Sequence, residues 1–77
     1  MQYEETREIK EGEKIIAIIG FYENPRGAYL DVLNPKGKVL EKEIPTISRR
    51  ITKGRGHYQD SDLKRIAREV IRYAPKP

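Results

Sequence analysis

Residues 15–44, IIAIIGFYENPRGAYLDVLNPKGKVLEKEI, decide the fold. Two tetrapeptides inside them, Asn24-Pro25-Arg26-Gly27 and Asn34-Pro35-Lys36-Gly37, repeat an Asn-Pro-basic-Gly pattern ten residues apart. Pro presets φ for the first central position of a tight turn. Asn bonds the backbone ahead of it, and Gly accepts the positive φ needed where the chain turns back. The flanking stretches are apolar and rich in β-branched residues. Two such turns at this spacing predict an antiparallel meander of short strands.

A type I turn with a glycine bulge at each tetrapeptide would set the register. Asn24 then pairs with Ala28 and Asn34 with Lys38. Tyr22 faces Leu30, Gly20 faces Val32, Val32 faces Leu40 and Ala28 faces Ile44. One face would hold Ile16, Ile18, Gly20, Tyr22, Ala28, Leu30, Val32, Leu40 and Ile44, broken by Lys42. The other would hold Ile15, Ala17, Ile19, Phe21, Leu33 and Val39, with Tyr29, Asp31, Glu41 and Glu43. Asp31 opposite Glu41 is a like-charge pair, unfavourable unless a cation approaches. A slip of one residue would exchange the faces.

Outward from this stretch, residues 3–9 alternate as an edge strand, with charges that discourage edge-to-edge pairing. The inner strands are expected over 14–22, 28–33 and 38–44, and residues 47–52 alternate weakly as a possible fifth. Leu63, Ile66, Ala67, Val70, Ile71 and Ala74 fall on one stripe, which predicts a helix over 61–74. Asp60 or Ser61 caps it and Pro75 stops it. The expected architecture is α+β: a meander of three to five strands, with one C-terminal helix packed on one face, in a single small domain spanning 1–77.

Composition bounds the function. A chain of 77 residues buries only about 60% of its unfolded surface. It has no Cys, which excludes disulfides and Cys-based zinc sites. The longest apolar stretch, residues 15–22, is far below the roughly 18 residues of a membrane span. The start is acidic and lacks an apolar signal core, so a soluble, cytoplasmic protein with no membrane partner is expected. Charged residues make up 36% of the chain, with two Asn, two Gln and ten Ile, a thermophile-like composition. Residues 1–44 carry seven Lys/Arg against nine Asp/Glu, while residues 45–77 carry nine against three. An acidic sheet half thus precedes a basic half, an asymmetry that can mark a polyanion-binding surface.

The basic half offers two candidate surfaces. Arg49, Arg50, Lys53, Arg55, His57 and Tyr58 lie within ten residues, beside Gly54 and Gly56. Arg forks match phosphate oxygens, glycines let backbone approach a phosphate, and Tyr58 can stack on a base. Against this stands a solvated loop that pairs with sheet carboxylates. On the helix, Lys64, Arg65, Arg68 and Arg72 form a row that repels itself. Such a row suits a polyanion, though a solvated helix side would look the same. Together they lead to a small basic protein that binds DNA or RNA through its phosphates.

A third candidate is the second sheet face, with Ile15, Ile19, Phe21, Tyr29, Leu33 and Val39. A left-over apolar face marks a homodimer contact or a protein partner, which gives the alternative: an interaction module, small inhibitor or adaptor. His57-x-x-Asp60-x-Asp62 reads as helix capping rather than as a metal or general-base site. Gly54-Arg55-Gly56 lacks the Gly-Lys-Ser/Thr ending of a P-loop. With one His and no Cys, no catalytic residue, metal or cofactor is expected, and the chain reads as a binding protein rather than an enzyme.

Overall fold

The computed structural model describes residues 3–46 and 60–74. Four strands, β1 (Glu5–Glu11), β2 (Lys14–Asn24), β3 (Gly27–Leu33) and β4 (Val39–Pro45), form one antiparallel sheet in sequence order. A helix, α1 (Asp60–Tyr73), packs against it. This is the α+β meander with a C-terminal helix that the two turns and the apolar stripe predict. The expected strand over 47–52 falls outside the described residues.

The two similar tetrapeptides make different loops. At the second, Asn34 sits opposite Lys38 as expected: the Asn34 N–H donates to the Lys38 carbonyl at 2.8 Å and the Gly37 N–H to the Asn34 carbonyl at 2.9 Å. The Asn34 side-chain oxygen accepts from the backbone N–H of both Lys36 and Lys38, and Gly37 takes a φ of 92°. At the first, the loop is one residue shorter. Asn24 pairs with Gly27, and only Pro25 and Arg26 lie between them.

That residue corrects the whole first hairpin. Tyr22 faces Tyr29, Phe21 faces Leu30, Gly20 faces Asp31 and Ile19 faces Val32. From Ala17 to Tyr22 the faces of β2 are therefore exchanged relative to expectation, while Ile16, beside the bulge in the first ladder, packs against the core as expected. Ala17, Ile19 and Phe21 join Ile9, Leu30, Val32 and Ile44 beneath Leu63, Ile66, Ala67 and Val70 of the helix. Ile19 and Phe21, expected on the open second face, are core residues. The physical reason is packing: Phe21 puts a wholly apolar ring beneath the helix, while Tyr22 goes to the other face, beside Tyr3 and Tyr29.

β3 and β4 also depart from a regular ladder. Leu30 faces Ile44, but Val32 faces Glu41 and Leu33 faces Val39, so extra residues of β4 bulge out in two places. Glu43 lies in one bulge with a φ of 59°, uncommon for a residue with a side chain. The expected facing of Asp31 and Glu41 does not occur, because the bulge moves Glu41 opposite Val32. Of the helix stripe, Leu63, Ile66, Ala67 and Val70 are buried, while Ile71 is exposed on the flank.

Candidate nucleic-acid interface

The helix carries the described part of the basic surface. Its inward stripe is fixed by packing, so the helical period decides where the other side chains go. Arg65 and Arg72 lie opposite the buried stripe and are exposed. Lys64 is half-buried, and Arg68 is exposed on the flank toward β1, where its guanidinium forms an ion pair with Glu11. Arg65 pairs with Asp62 one turn earlier at 3.6 Å. Both pairs are exposed, and such pairs contribute at most about 1 kcal/mol.

Arg49, Arg50, Lys53, Arg55, His57 and Tyr58 lie outside the described residues. Of the possible metal or base triad, Asp60 opens the helix and Asp62 is engaged with Arg65, positions that suit the positive end of the helix dipole. Among the described residues, no cluster of three or more His, Cys, Asp or Glu could hold a metal ion. No described helix is long and apolar enough to cross a membrane.

The second sheet face is smaller than expected and partly covered. Without Ile19 and Phe21 it retains half-buried Tyr29, buried Leu33 and exposed Val39, with half-buried Ile18 beside Leu33. Ile15 is half-buried opposite Lys10, next to the bulge in the first ladder. At the other end stands a group that the expected register does not bring together: Tyr3, Tyr22, Tyr29 and Asp31. Tyr22 and Tyr29 stack with ring centroids 5.9 Å apart, and Tyr3 lies 6.0 Å from Tyr22 in a tilted arrangement.

Asp31, buried in the sheet, is the hub of this group. Its Oδ2 accepts the Tyr3 hydroxyl at 2.7 Å and its Oδ1 accepts the backbone N–H of Glu43 at 2.9 Å. The β4 bulge is what presents that N–H. Gly20 faces Asp31 across the ladder and makes room for Tyr3: a Cβ there would lie 2.5 Å from the Tyr3 ring. Tyr22 keeps its hydroxyl buried near Asp31 without a well-formed hydrogen bond. Burial, reinforced by Asp31, pushes the pKa of Tyr3 and of Tyr22 up to about 12. Both phenols are therefore held in the protonated form around a buried carboxylate. Its sequence signal was a lone Asp inside the apolar run 28–33.

No family model matches the chain, and neither a curated protein nor a solved structure matches it.

Proposed function

We propose that this chain is a small nucleic-acid-binding protein rather than an enzyme. It holds phosphates through Arg49, Arg50, Lys53 and Arg55 and through the outer side of α1, with His57 and Tyr58 adding contacts to phosphate and base. One observation carries this reading. The basic stretch runs directly into a helix whose apolar side is committed to the core, and Arg65 and Arg72 point away from it. Exposed ion pairs at Arg65 and Arg68 are weak enough for a phosphate to replace them.

Fluorescence anisotropy with labelled single- and double-stranded DNA and RNA, each at two salt concentrations, tests the reading. Binding that weakens steeply with salt is expected. No binding to any of the four at low salt would overturn it.

The second reading is a protein-interaction module. What favours it is the exposed Val39 beside Leu33 on the face that α1 leaves open. A protein that stays monomeric in solution, and whose behaviour is unchanged by Val39→Ser, counts against it.

A further inference from the structure

The helix has two unlike flanks. Toward β1 it offers Arg68, already engaged by Glu11. Toward β4 it offers Glu69 and Tyr73. Between that second flank and β4 runs an open groove of about 130 Å³, lined by Glu41, Ile44, Ile66, Glu69, Val70 and Tyr73.

Its floor and rim differ in chemistry. Ile44, Ile66 and Val70 are buried and form an apolar floor. Glu41 on the strand and Glu69 on the helix are exposed at the rim. Tyr73 is 78% exposed, the most exposed of the large apolar side chains among the described residues. The carboxylates of Glu5, Glu11, Glu43 and Asp62 each pair with an arginine of this chain. Glu41 and Glu69 form no such pair among the described residues.

We infer that this groove receives an arginine side chain from a protein partner. The aliphatic stem lies on Ile44 and Val70, and the guanidinium reaches the rim between two carboxylates that its planar fork matches. The Tyr73 ring, otherwise left in water, stacks on the guanidinium. The volume fits one long side chain and is well below the roughly 300 Å³ where small-molecule sites begin. Among the described residues β4 is the edge of the sheet, so a peptide backbone can run beside it while delivering the side chain. The two rim carboxylates repel phosphate, so this surface is distinct from the proposed nucleic-acid surface and does not depend on it.

The test is an NMR titration of the isotope-labelled full chain with acetyl-Gly-Arg-Gly-amide and with its neutral citrulline twin. The arginine peptide should shift the amides of Glu41, Glu69, Val70 and Tyr73 saturably, and bind about tenfold more tightly than the citrulline peptide. Glu41→Gln/Glu69→Gln should abolish that preference while the rest of the spectrum stays in place. Tyr73→Leu should weaken arginine binding with both glutamates intact. Equal binding of the two peptides, no groove shifts, or a preference that survives the double substitution would overturn the inference. So would groove shifts that follow protein concentration alone, which would make the occupant a second copy.

Discussion

The Tyr3 hydroxyl donates to Asp31 at 2.7 Å across 28 residues of sequence. It ties the start of the chain to the middle of β3. The Glu4 N–H donates to the Phe21 carbonyl beside it, so the N-terminal segment is held by both backbone and side chain. Removing the hydroxyl leaves a buried carboxylate oxygen without its donor. Tyr3→Phe should therefore destabilise the fold by about 1–3 kcal/mol. The check is the denaturant midpoint at unchanged slope.

Gly20→Ala should act through the same contact. The added methyl occupies the space of the Tyr3 ring, which must swing away and release Asp31. Gly20→Ala and Tyr3→Phe should thus be strongly non-additive, since each removes the same bond. Additive losses in a double-mutant cycle would show that Gly20 is constrained by something else.

Alkali provides a separate handle on the network. The folded pKa of Tyr3 and Tyr22 is about 12, against an ordinary value of 10.0. A group whose folded pKa is raised contributes stability below its unfolded pKa and loses it as pH rises toward the folded value. Stability should therefore be level up to about pH 10 and fall between about pH 10 and 12. Tyrosinate absorbance should show a late-titrating component from Tyr3 and Tyr22 that shrinks in Tyr3→Phe.

Glu43 sits in the bulge at a φ of 59°, where a side chain is disfavoured. Its ion pair with Arg26, 3.7 Å long and exposed, contributes little. Glu43→Gly should be neutral or stabilising by up to about 1 kcal/mol. Glu41→Gly, in the same strand but without that backbone, should cost roughly 0.5–1 kcal/mol. Thermal or denaturant unfolding of the two variants side by side decides the matter.

The strands, their order and the helix were legible because each rests on a local signal: β-branched runs, Asn-Pro-basic-Gly turns and a stripe of apolar residues. The register of the first hairpin was not. The same tetrapeptide type supports loops of two and of three residues, and packing chose between them. Keeping Phe21 under the helix and gathering Tyr3, Tyr22 and Tyr29 with Asp31 on the other face settles that choice. The bulges of β4 were hidden too, because Glu43 is not the residue that usually marks a positive φ. Of the basic surface, the helix row could be placed from periodicity alone, but not the ion pair of Arg68 with Glu11, which depends on tertiary proximity.

The proposed phosphate contact runs through the outer side of α1. The most direct measurement is the salt dependence of affinity for the best-bound nucleic acid, compared between the native chain and Arg65→Gln/Arg72→Gln. Both positions are exposed, so the fold should be unaffected. The slope of log affinity against log salt should fall by about 1.4–1.8, the loss of two phosphate contacts. An unchanged slope and affinity in the variant would contradict the proposal.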